Sequence, residues 1–285
     1  MMTDAGIAAG FWNWSYNTPA GKLLTRLLLS RRWVSALYGW VQRLRFSRRW
    51  IRPFIERFNI DMDEARLRPE EFGCFDDFFA REIDLARRPI HPDPRSCVAP
   101  VDGRFLVYPS IQPDEEFPIK RSHFNLRGLL RDDTIAARYS GGTLVHGRLC
   151  PGDYHHFHFA VAGVPEASVP VAGRCYALTP YSTGPHIAVH SENYRVVTRL
   201  RTAELGLVLI VEIGGFAVSS IRQSFQPGQP VHKGAPKGCF HVGGSTVLLL
   251  FEPAVFQPDR DILDHSRQGV ETYVQLGDSI GRMAL

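Results

Sequence analysis

The chain has 285 residues, of which 44% are hydrophobic and 22% charged, with a formal net charge of +4. That composition is ordinary for a globular protein with a proper core, organised as one large domain or two small ones. Its five cysteines (Cys74, Cys97, Cys150, Cys175 and Cys239) lack any CxxC spacing, which argues against a disulfide framework or zinc ribbon and suits a reducing compartment.

The start, Met1 to Gly6, has no basic region leading into an apolar one, so no secretory signal is expected. No run of 18 apolar residues occurs either, so no transmembrane helix is expected. The charge is unevenly spread. Between Asp4 and Glu56 there is no acidic residue, while Lys22, Arg26, Arg31, Arg32, Arg43, Arg45, Arg48, Arg49 and Arg52 all fall there. Leu23, Leu24, Leu27, Leu28, Trp33, Leu37, Tyr38 and Trp40 are interleaved at spacings of three and four, as an amphipathic helix requires. Cations beside Trp, Tyr and Leu suit a helix lying in a membrane interface, where each cation facing an anionic leaflet contributes roughly 1 kcal/mol. Three other readings compete: nucleic-acid binding, for which no recognition motif is present; a helical hairpin packing on the protein's own core; and an organellar transit peptide over the first thirty or so residues.

Residues 20 to 85 read as helical. Asn59-Ile60-Asp61 gives a helix-start signal, and Phe72, Phe75, Phe78 and Phe79 an apolar stripe that suits core. The Pro-rich segment 89–94 ends this part. Short β-rich runs between Gly/Pro turns follow, including 105–108, 143–146, 194–198, 205–213 and 246–251. The expected fold is α+β: a helical membrane-associating module over 1–90, then a mostly antiparallel β domain over 91–285. Val231-x-x-Gly234-x-x-x-Gly238 recurs as Val274-x-x-Gly277-x-x-x-Gly281. Two such strand–turn units would suit a small closed barrel of the lipoyl type, although turn glycines alone would also explain them.

Three segments carry chemistry. Gly243-Gly244-Ser245-Thr246 runs into the apolar strand Val247 to Phe251. The glycines leave the Gly244 carbonyl sterically open, and the Ser245 hydroxyl directly follows it. Ala99-Pro100-Val101-Asp102-Gly103 holds an aspartate between a turn and a strand. Asp153-Tyr154-His155-His156-Phe157-His158 places three histidines in four residues. In a regular strand His156 and His158 share a face and His155 points away. A metal site would need further ligands, and none is obviously placed. An acid–base reading needs one imidazole to accept the serine proton and a carboxylate to fix its tautomer. Asp102, one of these histidines and Ser245 could form such a triad.

Together these three segments resemble the phosphatidylserine decarboxylase family, whose patterns are PVDG, DYHRxH and LGST or GGST. Asp77-Phe78-Phe79-Ala80-Arg81, Asn193-Tyr194-Arg195-Val196-Val197 and Phe117-Pro118-Ile119-Lys120 are similar to further family segments, and the likeness spans roughly residues 35 to 281. The resemblance implies a self-processing enzyme. His158 would accept the Ser245 proton while Asp102 holds the imidazole, and Ser245 would attack the Gly244 carbonyl to form an ester. β-Elimination and hydrolysis would then leave a pyruvoyl group, a β chain of residues 1–244 and an α chain from position 245, the two held together non-covalently. That pyruvoyl carbonyl would act as electron sink for the carbanion left by CO₂, with His155 as proton donor. Neither metal nor pyridoxal phosphate is expected.

Three positions depart from the family pattern: Gly243 stands for the commoner leucine, His156 for arginine, and Arg121 for glycine. Because His155 and His158 cannot both face Ser245 from a regular strand, a bulge or irregular turn is expected between them. The implied partners are phosphatidylserine, an anionic membrane surface and a further copy of the chain, with no nucleic acid. The implied location is the cytoplasmic face of a cell membrane, or the mitochondrial inner membrane as an alternative. Competing functions are decarboxylation of a soluble amino acid, serine hydrolysis with the same triad, and non-enzymatic lipid binding.

Overall fold

The structure, a computed structural model, describes residues 9–114, 117–119, 122–177, 189–216, 221–243 and 245–284. Its helical part opens with α1 (Ala9–Asn17), α2 (Pro19–Leu24), a π-helical turn over Thr25–Leu29, α3 (Arg32–Gln42), a 3-10 turn over Arg45–Trp50 and α4 (Ile51–Phe58). The basic stretch is thus broken into short helices rather than running as one. Thr18 caps α2 through the Gly21 N–H, with Pro19 behind it, as helix starts favour. At Gly21 a side chain is impossible, since a Cβ would lie 2.2 Å from the Trp14 carbonyl oxygen, so α1 and α2 fold tightly together. The segment expected to start a helix instead ends one: Asn59 closes α4 in the left-handed conformation, and only Asp61 caps a 3-10 turn over Met62–Glu64. α5 (Phe75–Phe79) then buries the phenylalanine stripe with Ile51, Phe54 and Val242.

The last turn of this part, Leu85–Arg87, gives way to strands β1 (Ser96–Val98), β2 (Gly103–Ile111), β3 (Phe117–Ile119) and β4 (Ser122–Phe124). Helices α6 (Leu126–Leu130) and α7 (Asp133–Arg138) lead into β5 (Gly142–Leu149), β6 (His156–His158), β7 (Val164–Pro165) and β8 (Val169–Val171). After α8 (Val189–Glu192) come β9 (Arg195–Arg201), β10 (Leu207–Gly214), β11 (Ile221–Gln223), β12 (Pro236–Phe240), β13 (Ser245–Phe251) and β14 (Phe256–Pro258). Helix α9 (Arg260–Arg267), β15 (Thr272–Val274) and β16 (Ser279–Met283) complete the order.

The main sheet is antiparallel, with order β15-β2-β5-β13-β10-β9-β7 and β8 also on β9. Strand β13 is central and apolar at every position from Val247 to Phe251 because both its faces are covered. Val247, Leu249 and Phe251 join the core that contains Phe157 and Phe159, while Leu248 and Leu250 join the one that contains Leu126, Leu129 and Tyr139.

The expected lipoyl-like barrel is not found: among the described residues the sheet stays open. A second layer (β11-β12-β6) and helices α6 and α7 bury its two faces, so closure is not needed to remove apolar surface from water. The repeated glycines have a different cause. Gly234 and Gly277 both take positive φ in turns that close on Ile90, where a Cβ would lie 2.5 and 3.1 Å from its Cδ1.

The helical part packs across the sheet end at which β13 begins. Ala177 N–H donates to the Tyr16 hydroxyl at 2.8 Å, Cys175 N–H donates to the Ser30 carbonyl at 2.9 Å, and Trp12 meets Phe216 edge-on. No described helix is long and apolar enough to cross a membrane.

Candidate active site

Ser245 opens β13 between Leu149, the last residue of β5, and Gly214, the last of β10. Side chains alternate along a strand, so Ser245 shares its face with Val247 and Leu249, the face covered by the β11-β12-β6 layer. Its Oγ is buried and has no hydrogen-bond partner among the described residues. Gly244, the other half of the expected cleavage site, lies outside the described residues, as do Lys120 and Arg121. Gly243 precedes it at φ 142, a conformation L side chains rarely adopt.

His155 and His158 are both buried, and their rings are alike in one respect. The Nδ1 of His155 lies 2.8 Å from the Asp153 carbonyl oxygen, and that of His158 lies 2.9 Å from the Gly234 carbonyl oxygen. A carbonyl can only accept, so each Nδ1 carries the proton and each Nε2 presents its lone pair. Both Nε2 atoms are buried without a partner among the described residues. Burial holds both imidazoles neutral: it depresses His158 below the usual histidine range and brings His155 down to about 3, with nearby Arg81 adding to the effect on His155. The His155 ring packs on Phe79 of α5 at 4.0 Å between centroids.

The irregularity expected between the two histidines is divided. His155 stands just outside β6, and opposite His158 the register slips at Lys237 of β12. His156 turns outward, stacks on Tyr154 and hydrogen-bonds the Ala80 carbonyl at 2.9 Å.

Asp102 is placed next to His158 through the backbone, since the His158 N–H donates to the Pro100 carbonyl at 2.8 Å. Its carboxylate, however, accepts from Arg88 (Nη2 to Oδ2 at 2.9 Å, Nε to Oδ1 at 3.0 Å) and from the Leu276 N–H at 2.7 Å. Arg88 also grips Glu64. The tautomer of His158 is therefore held by Gly234, and Asp102 acts on the imidazole through its charge, which opposes the depression caused by burial. Ser245, His155 and His158 make no hydrogen bond to one another among the described residues.

Asp76 and His241 frame the site without having been singled out in the sequence. Asp76 of α5 accepts from His241 Nδ1 at 2.8 Å, Val242 N–H at 3.1 Å and Arg43 Nε at 2.9 Å. It thereby ties the segment just before Gly243 to two helices. Burial alone would raise its pKa, but the hydrogen bonds led by His241 hold it below the usual carboxylate range. Those same contacts, Asp76 first and Cys239 second, push His241 up to about 9. Arg81 holds the Gly152 carbonyl at 2.8 Å, and Asp153 is raised to about 6 by burial despite the hydrogen bond from Cys150 N–H and the nearby Arg104. A cavity of about 630 Å³ opens beside Asp102, lined by Arg57, Arg81, Arg88 and Arg104 together with Glu64 and Asp153. No group of three or more potential metal ligands occurs among the described residues.

A buried serine thus heads a central strand, and two buried neutral histidines each present an Nε2 with no partner among the described residues. The family model for phosphatidylserine decarboxylase matches residues 75–282. A phosphatidylserine decarboxylase proenzyme of Chlamydia muridarum is 42% identical over 93% of the chain and 88% of that protein. The proenzyme of Chlamydia pneumoniae is 40% identical over 94% and 89%, and that of Clostridium beijerinckii 37% identical over 95% and 92%. The chain belongs to the phosphatidylserine decarboxylase family.

Proposed function

We infer that the chain matures by cutting itself before Ser245 and then decarboxylates phosphatidylserine to phosphatidylethanolamine. The observation that carries this reading is the trio of buried atoms without a partner among the described residues: Ser245 Oγ, His155 Nε2 and His158 Nε2. An unsatisfied buried polar group costs about 1–3 kcal/mol, and the Ser245 hydroxyl at the head of a central strand, unpartnered among the described residues, is retained against that cost. His158 takes the Ser245 proton on Nε2 as Oγ attacks the Gly244 carbonyl, and the Gly244–Ser245 bond passes from amide to ester. Loss of the Ser245 α-proton with departure of the Gly244 carboxylate leaves a dehydroalanine, and water releases ammonia from it. Asp102, locked by Arg88 and Leu276, favours the imidazolium that forms.

Ser245 fits the pyruvoyl assignment, being a buried hydroxyl with no hydrogen-bond partner among the described residues, on the sheet face covered by the layer that contains His158. When present, a pyruvoyl carbonyl supplies an electron sink for the carbanion left by CO₂. His155, walled by Phe79 and fixed at Nδ1, presents its Nε2 lone pair as the position through which a proton is passed to the carbanion.

Exposed Leu23, Leu27, Trp33, Leu37 and Trp40 lie among the cations of α2, α3 and the turn between them, the composition of an interfacial surface. This supports a peripheral enzyme on the cytoplasmic face of a cell membrane, and it is unexplained by a soluble amino-acid substrate. Intact mass tests the whole reading. Two chains are expected, with the break before residue 245 and a blocked small chain. A free N-terminal serine on that chain would show ordinary hydrolysis instead.

A further inference from the structure

A second cavity, of about 490 Å³, lies where α3 meets the β domain. Its lining is Ser30, Arg31, Arg32, Arg131, Gly173, Arg174 and Glu192. Four arginines and one glutamate thus line it. Two come from the end of the π-helical turn and the start of α3, and two from distant parts of the β domain. Arg131 reaches it from a left-handed residue that terminates α6. Arg174 is held by its Nη1 on the Arg26 carbonyl at 3.3 Å and Arg31 by its Nε on the Leu27 carbonyl at 3.0 Å, while Arg32 stacks over Tyr194 at 4.5 Å. Among the described residues none of these four arginines forms an ion pair with a carboxylate, whereas Arg43, Arg88, Arg104 and Arg148 all do. Their backbone and aromatic contacts fix their stems and leave guanidinium donors for an anion.

We propose that this cavity binds the phosphate of an anionic membrane lipid, as an anchoring site separate from the active site. Arginine forks match phosphate oxygens, and four of them around one carboxylate leave the pocket strongly positive. None of Ser245, His155, His158 and Asp102 lines it. The occupant is a lipid rather than a free phosphate because the segment that supplies Arg31 and Arg32 also carries the exposed apolar residues Leu24, Leu27, Leu28 and Trp33, and Arg31 rests on the Leu27 carbonyl. A headgroup seated among the arginines would have its acyl chains beside these residues. The proposal rests on the membrane reading given above.

The test uses the mature protein and sedimentation with phosphatidylcholine vesicles, with and without one-fifth phosphatidic acid. Arg131→Gln/Arg174→Gln changes two cavity residues that lie outside the basic N-terminal stretch. Arg260→Gln/Arg267→Gln on α9, at side chains 93% and 66% exposed, removes the same charge elsewhere. At roughly 1 kcal/mol per cation, the cavity variant should bind the acidic vesicles about tenfold or more weakly, while the α9 variant stays within about twofold of wild type. Self-cleavage should proceed in both, which reports that they fold, and Arg131→Gln alone serves if the double variant does not. Wild-type binding by the cavity variant, or an equal loss in the α9 variant, overturns the site. Full displacement by millimolar inorganic phosphate overturns the lipid assignment. Failure of the wild type to bind either vesicle overturns the membrane reading itself and the anchoring site with it.

Discussion

Asp76 and His241 stand 165 positions apart in the chain and meet at 2.8 Å, a helix carboxylate holding the segment that leads into Ser245. The second Asp76 oxygen takes the neighbouring Val242 N–H. The approach to the scissile bond is thus fixed from the helical side rather than by the sheet alone. Asp76→Asn should slow self-cleavage about tenfold, the scale of one charge-assisted hydrogen bond, with the uncut chain persisting on a denaturing gel. Arg43→Gln, whose side chain is partly exposed, should do much less. Equal rates for Asp76→Asn and wild type would show that the tether does not set the geometry.

Ser245→Ala should remain one uncut chain, since no hydroxyl is left to attack Gly244. His158→Ala should also block or greatly slow cutting. Because Asp102 is gripped by Arg88, Arg88→Gln should reproduce part of the Asp102→Asn defect. A fast-cutting Asp102→Asn would remove the charge of Asp102 from the account.

His155→Ala separates maturation from turnover. It should still cut, yet release CO₂ slower by about 10²–10⁴-fold, the usual range for a general acid–base group. A variant that fails to cut, or that cuts and turns over normally, would reverse the roles given to the two histidines.

Protonation should destabilise the fold in mild acid. His155 has a folded pKa near 3 against an unfolded value of about 6.5. As pH falls below 6.5 the unfolded chain takes up a proton the folded one refuses, so stability drops and continues to drop until about pH 3. At pH 5 the loss is about 2 kcal/mol from this group. Asp153, raised to about 6, works in the opposite sense, favouring the fold below its unfolded pKa and losing that contribution as pH rises through 6. His155→Gln should therefore narrow the difference in Tm between pH 7 and pH 5. An unchanged difference would mean that His155 is not buried neutral.

Removing residues 1–50 should weaken binding to anionic vesicles, and high salt should weaken wild-type binding through screening. Salt-insensitive binding would instead assign the affinity to apolar insertion.

The strands and the site segments were legible because their signals are local. The runs at 105–108, 143–146 and 246–251 fall inside β2, β5 and β13, where apolar residues on both faces leave little choice of conformation. Ser245, Asp102 and the histidines stood out for the same reason, each within a short motif. Asp76 and Arg88 did not, because an aspartate beside phenylalanines and an arginine before a proline gain meaning only from partners the fold brings in. The amphipathic spacing of the basic stretch did not show its interruptions, a π-helical turn over Thr25–Leu29 and a 3-10 turn over Arg45–Trp50, because these depend on how the short helices pack. The barrel expectation failed because two turn glycines around Ile90 look, in one dimension, like a repeat.

A break before Ser245 would leave the smaller product threaded through the larger one. It would own β13, flanked on both sides by β5 and β10, and also β15 on β2 and β16 on β1. Neither fragment could then leave without tearing the middle out of a sheet, and the ladder from Thr246 onward passes through the cut unchanged. The two pieces should copurify through dilution and salt, part only in denaturant, and fail to regain activity when mixed afterwards, because strand β13 would have to be inserted into a sheet already closed over its place.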